Sequence, residues 1–594
     1  MLRILGCMKK SNILFLSLAL SFSANAEIRL PAQISENMVL QQQTKAKIWG
    51  WCNAGEKVSV STSWNQEKYQ TVADKSGHWI VGIDTPKGDF EEKQITIADS
   101  QSQICLNHVL IGEVWMASGQ SNMEMPLKGF LNCPVEGSLS DIASSIDWKG
   151  RIRYATLPKT VAFEPLDSTS GIWQECEPAH VGGFGAIGYY FAQNLTRNLQ
   201  VPVGIINNAW GGSSVEGWLP KDALEENDLP VQEDVITRSY HSSMHYPMVM
   251  NNGQFWPIKD YTIKGVIWYQ GCTNASFEST SGEYAKRFLR VVNYWREIKG
   301  DPNLPVYQVQ LAQYGERNSP DGIAFPKLRE QQMIAAEQDE EVYLASMLDV
   351  FTPYEVNQVH ARNKRIAGLR LASMALGNTY SMEGFPKEVL KYSGYEIEEN
   401  RILLKFDNWE AAGGWDRIDD IKGVEICGTD LVWHPAMVQA DGYTNIIYAS
   451  SPKVDQPVAV RYGWHNFSEC TLAGANGLGA YPFRTDRILE GEMPVAPAPL
   501  PDGNFDGSWT GRLTVPQVQL DIDICIVFSK EAEGRWKCSF NGEELPVKVH
   551  GQSAKISGIV LKGNTVDGTV KLSEKGAATL NFMRLMDVPL VRQK

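Results

Sequence analysis

The sequence predicts an α/β protein: a mostly parallel sheet flanked by helices, with accessory all-β domains around it. Three observations carry that reading. Between residues 108 and 380, nearly continuous apolar runs alternate with segments of helical period. On either side of that region, short strand-like runs are punctuated by turn residues. A Pro-rich stretch, Met493–Pro501, then sets off a last strand-rich segment. A chain of 594 residues is in any case longer than one core usually serves.

Taken in order, residues 1–26 read as an export signal. Lys9 and Lys10 precede an apolar stretch, Ile13–Phe22, and Ala24-Asn25-Ala26 is an A-x-A cleavage site. The stretch is too short to span a bilayer, so the expectation is an exported, periplasmic or extracellular protein with no membrane insertion. Ile4-Leu5-Gly6-Cys7 imitates a lipoprotein box but lacks a hydrophobic segment before it.

Residues 27–107 read as a small β-sandwich, with strands at Ala46–Gly50, Lys57–Ser61 and His78–Ile83 and turns at Asn53-Ala54-Gly55 and Asp74–Gly77. Residues 108–380 form the α/β body. Its buried strands are Val109–Ala117, Val203–Asn208, Ile263–Tyr269, Val306–Leu311 and Val342–Leu348. Its helices are Ala186–Gln200, Glu283–Ile298, Phe325–Glu337 and Asn363–Leu376, the last closed by Gly377. Residues 381–490 return to β texture, with strands at Ile402–Phe406, Gly423–Cys427, Ile446–Ser450 and Val458–Tyr462. A linker follows at 491–506, then a C-terminal antiparallel barrel or sandwich at 507–594, with turn signals such as Asn541-Gly542 and Asp567-Gly568.

Bulk charge narrows the function. The net charge of −14, from 55 basic and 69 acidic residues, argues against nucleic acid as a partner. Ten cysteines are widely and irregularly spaced without a C-x-x-C pair, which supports neither a zinc site nor a dense disulfide framework. Cys525 and Cys538 could pair across neighbouring strands, but buried free thiols are the simpler expectation. His241 and His245 have i, i+4 spacing without the Glu or third ligand of a zinc helix, so no metal is expected. Gly183-Phe184-Gly185-Ala186-Ile187-Gly188 matches G-x-G-x-x-G, yet no strand precedes it. Those glycines are better read as close packing for the helix behind them.

In an open α/β sheet, ligands bind outside the carboxyl ends of the strands. Four such ends carry small or polar residues. Gly119-Gln120-Ser121-Asn122-Met123 places a serine in a tight turn after a strand, where a hydroxyl is exposed beside backbone N–H groups. It is not a G-x-S-x-G elbow, because Met123 stands at the second glycine. Taken alone, such a serine is usually just satisfied within its turn. Trp210-Gly211-Gly212-Ser213 lets backbone approach a ligand. Trp268-Tyr269-Gln270-Gly271-Cys272-Thr273-Asn274 offers an amide, and Asn357-Gln358-Val359-His360 offers an imidazole just ahead of the helix that Asn363 opens.

Together these motifs resemble the SGNH/GDSL-type serine esterases, and specifically the sialate O-acetylesterase family, over most of the chain from about Ile28 to Asp486. Glu36–Gln41 and Trp49-Gly50-Trp51 resemble the family's first domain. Gly211-Gly212-Ser213 is similar to its Gly-Gly-Thr turn, Trp268–Asn274 to W-Y-Q-G-E-S-N, and His360–Lys364 to H-P-x-N-K. The resemblance implies an SGNH-hydrolase-like catalytic domain with Ser121 as nucleophile and His360 as base. It implies an oxyanion hole of the Ser121 N–H, a Gly211 or Gly212 N–H and the Asn274 side chain, with Gln120 and Gln270 near substrate. It also implies a carbohydrate O-acetylesterase, most simply one for O-acetylated sialic acids, working through an acetyl-serine and needing no cofactor. Acetylated xylan or another glycan is the alternative substrate.

Among the positions that depart from the pattern, three bear on the chemistry. Asn357 stands where the family has the Asp that orients histidine, Cys272 where it has Glu, and Ala361 where it has Pro. Asn at the orienting position carries no charge to stabilise imidazolium, so reduced activity is expected, or in the extreme a relative that binds acetylated glycans without turnover. Asp349 or Glu355 could supply the carboxylate from elsewhere. Cys272 reads as a buried thiol filling the Glu space.

Overall fold

A computed structural model describes residues 27–593, except 227–243, 245, 277–281, 316–321, 351, 487–503 and short gaps at 516–519, 532–534, 551, 562, 574–576 and 583–585. The export signal, the His241/His245 pair and most of the linker lie outside the described residues. Residues up to Asp486 form one compact unit and those from Arg487 onward a second.

The site is positioned by a sheet whose strand order is Val342–Ala345, Val306–Val309, Gly265–Tyr269, Gln103–Gly119, Val203–Asn207, Ile152–Thr156 and Trp173–Glu175. All neighbouring pairs are parallel except the last. Every residue of Val203–Asn207, Gly265–Tyr269 and Val306–Val309 is buried. Both faces of the sheet are therefore covered, which is why these strands read as unbroken apolar runs. The helices Ala186–Leu199, Tyr284–Lys299, Ala324–Gln338 and Lys364–Asn378 supply that cover. Gly377 does not end the last of them as expected; it lies inside the helix, where a Cβ would meet the Pro386 carbonyl oxygen at 2.6 Å. Close approach, not capping, explains that glycine. Two of the three G-x-G-x-x-G glycines are likewise packing residues: Cβ atoms on Gly185 and Gly188 would stand 2.6 and 2.9 Å from the Tyr154 hydroxyl.

The Gln103–Gly119 strand is 17 residues long. It begins antiparallel to Asp89–Ala98, then runs parallel to Val39–Gln41, and ends in the centre of the parallel sheet. The boundary expected at 107/108 thus falls inside one strand, and a single hydrophobic cluster joins the N-terminal β region to the α/β body. Sequence could not show this, because a strand changing partners keeps the same apolar texture. Lys45–Trp51 pairs with His78–Asp84 as a separate two-stranded ribbon, and Trp51 also bridges Arg29.

Beyond residue 381 the first unit carries two four-stranded antiparallel sheets around their own cluster, which includes Ile402, Phe406, Ile426 and Tyr462. The second unit is a nine-stranded antiparallel sheet from Gly507 to Arg592 with its own core. Phe528 stands opposite Cys538 in that sheet. Cys525 lies three residues from that register, so the two thiols point to opposite faces. All nine described cysteines are free, and seven of them are buried.

Candidate active site

Gly119 ends the central strand at φ +123, and a Cβ there would lie 2.3 Å from the Tyr269 carbonyl oxygen. Only glycine lets the chain turn off the sheet at that spot. The Gln120 N–H donates to the Tyr269 carbonyl at 2.9 Å. Ser121–Glu124 then form one helical turn, closed by the Met125 N–H to the Ser121 carbonyl at 2.8 Å. Ser121 opens that turn, so its own N–H has no acceptor within it and is available to a ligand.

His360, 239 positions away in sequence, brings its Nε2 to 2.9 Å from the Ser121 Oγ. That is hydrogen-bond reach for a nucleophile and its base. The imidazole packs edge-on against Phe130, with ring centres 5.0 Å apart. Its backbone is fixed by its own N–H to Gln358 Oε1 at 3.2 Å and by the Cys133 thiol to its carbonyl at 3.5 Å. Burial, aided by the Lys364 ammonium, pushes the His360 pKa down to about 4, so the ring is a neutral base over the physiological range.

The structure does not bring Asn357 to the imidazole. Asn357 is exposed, and no hydrogen bond joins its side chain to His360. Motif spacing alone puts it there, but the turn after Pro353–Glu355 carries it outward. Asp349 pairs with Arg370 at 2.5 Å. Glu355 is raised by partial burial and is drawn to Arg362 and Lys364. Among the described residues, no carboxylate hydrogen-bonds His360. Asn357→Asp is therefore expected to leave kcat/KM within about threefold of wild type, as for an exposed substitution. Initial rates on 4-nitrophenyl acetate check this.

The expected oxyanion donors divide. A Cβ on Gly211 would stand 3.1 Å from the Ser121 Cβ, so this turn lies against Ser121. Its N–H, however, donates to Glu124 Oε2 at 2.5 Å, and Glu124 is paired with Lys159 at 2.6 Å. Gly212 adopts φ +80, and its N–H meets no acceptor among the described residues. The Ser121 and Gly212 N–H groups are thus the two open donors of the original set. Asn274 is fully buried and committed elsewhere. Its Nδ2 donates to both oxygens of Glu216, at 3.0 and 2.9 Å, and Glu216 pairs with Arg287 at 2.7 Å. Its Oδ1 accepts from the Val215 N–H and from Gln270. A buried carboxylate outcompetes a neutral acceptor for that amide.

Gln120 and Gln270 are also buried and serve the scaffold. Gln120 Oε1 accepts from the Gly271 N–H at 2.9 Å, and Gln270 Nε2 donates to the Ser213 carbonyl at 3.0 Å. Each ties two of the site loops together. Cys272 is buried beside Asn122, with its pKa pushed up to about 11 by desolvation, so it fills space as a neutral thiol. Glu124, Phe130, Asn122 and Lys364 belong to this site but were not singled out from sequence. The last two sit inside motifs already noted; the first two carry no sequence signal.

Lys364 is 1% exposed, and burial pulls its pKa down to about 7. Between about pH 7 and the ordinary lysine value of 10.5, the unfolded chain holds a proton that the folded chain has released. Stability from this group therefore rises with pH across that window and is lowest below pH 7. Lys364→Met is expected to raise Tm at pH 6, with the advantage shrinking toward pH 10. Thermal melts of both proteins across this range are the check.

Comparison with known proteins places these residues in a family. Residues 111–376 match the profile of the family described as carbohydrate esterase, sialic acid-specific acetylesterase. The chain is 26% identical to the sialate O-acetylesterase of Mus musculus, over 76% of its own length and 92% of that protein. Against that of Homo sapiens it is 26% identical, over 78% and 93%. Among solved structures, it is similar to a carbohydrate acetylesterase from Xanthomonas citri, with TM-score 0.68 and 29% identity, covering 78% of this chain and all of that one. The resemblance read from four short motifs is borne out: residues 111–376 carry a carbohydrate esterase domain of the sialic acid-specific acetylesterase family.

Proposed function

We propose that this chain is an exported, SGNH-type carbohydrate O-acetylesterase that deacetylates sugars through a Ser121–His360 acyl-enzyme route. The observation that carries the reading is the 2.9 Å hydrogen bond between His360 Nε2 and Ser121 Oγ at the carboxyl end of a parallel sheet. In the first step Ser121 Oγ attacks the acetyl carbonyl while His360 Nε2 takes its proton. The developing oxyanion is met by the Ser121 and Gly212 N–H groups. His360 passes its proton to the departing sugar oxygen, leaving acetyl-Ser121. Water, deprotonated by the same imidazole, adds to the acetyl carbon; the bond to Ser121 Oγ then breaks, His360 returns the proton to that oxygen, and acetate leaves.

A ring with a pKa near 4 holds a proton weakly, so it gives that proton readily to the leaving oxygen, but among the described residues no carboxylate steadies the imidazolium transition state. Turnover is therefore slow for a serine esterase. That same missing carboxylate favours one second reading, a chain that binds acetylated glycans and barely turns them over. O-acetylated sialic acids are the proposed substrates, supported by the names of the curated relatives. Export is supported by the signal-like residues 1–26. Acetate release from O-acetylated sialic acids, measured beside acetylated xylan and with Ser121→Ala as background, tests substrate and turnover together. Release at background from both substrates transfers the assignment to the binding protein.

A further inference from the structure

We infer that Lys364 and Asn122 form a brace that holds the nucleophile turn and the histidine loop in register, which makes both of them positioning residues for acyl transfer. The inference rests on the Ser121–His360 reading above. Asn122 directly follows Ser121 and is 1% exposed. Its Nδ2 donates to the carbonyl of Val359, the residue before His360, at 3.0 Å. Its Oδ1 accepts from Lys364 Nζ. One amide thus joins the residue after the nucleophile to the residue before the base. Only a side chain with both donor and acceptor can do that at once.

The other end of the brace is equally fixed. Lys364 is the first residue of the Lys364–Asn378 helix, one turn beyond His360, and its ammonium lies 5.5 Å from the Tyr269 ring centre. Tyr269 ends the strand that pairs with Gly119. The groups facing Lys364 are Cys272, Cys133, Glu355 and His360. Cys272 stands where the family pattern has a glutamate, and burial keeps its thiol protonated. Among the described residues, Asn122 Oδ1 is therefore the sole hydrogen-bond acceptor of this buried ammonium. In a chain with glutamate there, the lysine would have a carboxylate of its own. Here the load falls on Asn122. The positive charge also opposes protonation of His360.

The test uses the full chain with 4-nitrophenyl acetate across pH, comparing wild type, Asn122→Leu and Lys364→Met, with Ser121→Ala as the dead reference. Asn122→Leu is expected to lower kcat about 100-fold, the effect of roughly 1 Å of misplacement, with KM within about threefold. Lys364→Met is expected to lower kcat about tenfold. It should also move the acid limb of the profile to higher pH while Tm does not fall, because a buried charge has been removed. Should Asn122→Leu fail to fold, the Lys364→Met profile decides alone. Wild-type kcat and an unmoved acid limb in Lys364→Met, with Ser121→Ala inactive, would overturn the brace and leave the Ser–His pair standing. Loss of kcat and Tm together, with no change in pH profile, would reduce Lys364 to a packing residue and overturn it as well. If Ser121→Ala matches wild type, the esterase reading fails and the brace falls with it.

Discussion

Ser121→Ala is expected to lower kcat/KM on acetyl esters by about 10⁴-fold or more, about 5.5 kcal/mol of transition-state stabilisation. His360→Ala should cost a similar factor, and the double variant should be no worse than either alone. Non-additivity is the informative part. A serine hydroxyl without its base is a poor nucleophile, and an imidazole without its serine has nothing to activate, so the pair acts as one unit. The 2.9 Å contact is what makes them one. Two independent losses that multiply in the double variant would show that the residues act separately. The residual rate in all three variants is expected to reflect the proposed oxyanion N–H groups and substrate binding alone.

Gly119→Ala should damage both stability and activity. The residue sits at φ +123, and its new methyl would meet the Tyr269 carbonyl oxygen at 2.3 Å and its carbonyl carbon at 2.7 Å. These are backbone atoms of a neighbouring buried strand, so they cannot swing aside. Strain plus the loss of the last ladder contact should cost about 3 kcal/mol or more. Relief comes only by shifting the turn that carries Ser121, and about 1 Å of shift removes about 100-fold from kcat. Gly150→Ala is the control. It also has positive φ, +69, but its Cβ would meet nothing within 4 Å. That substitution should cost about 1 kcal/mol and leave kcat unchanged. Urea titrations with parallel rate measurements separate the two cases; equal losses would mean that steric closure at Gly119 does not govern the site.

Much of the fold was legible because it rests on local pattern. The buried strands ending near Asn207 and Tyr269 announce themselves as apolar runs, and the Ala186–Leu199 helix was expected to within a residue. What sequence missed were matters of partnership. The 17-residue strand that leaves one sheet for another cannot be divided by texture. Gly377 reads as a helix stop but is a contact with Pro386. In the site, Ser121 and His360 meet as their motifs implied. The resemblance makes Asn274 an oxyanion donor and puts Gln120 and Gln270 near substrate. Here Asn274 is consumed by Glu216, whose own commitment to Arg287 lies 71 positions away, while Gln120 accepts from the Gly271 N–H and Gln270 donates to the Ser213 carbonyl. Asn357 illustrates the converse. Three-residue spacing from a histidine matches a family pattern, but the turn that follows decides where the side chain points.

The most direct measurement is the site of covalent modification by a serine-directed phosphonate ester, located by peptide mass mapping in wild type and His360→Ala. The account predicts one adduct, on Ser121, formed rapidly in wild type and at least about 100-fold more slowly without the imidazole. An adduct on another residue, or labelling of Ser121 at the same rate in both proteins, would contradict it.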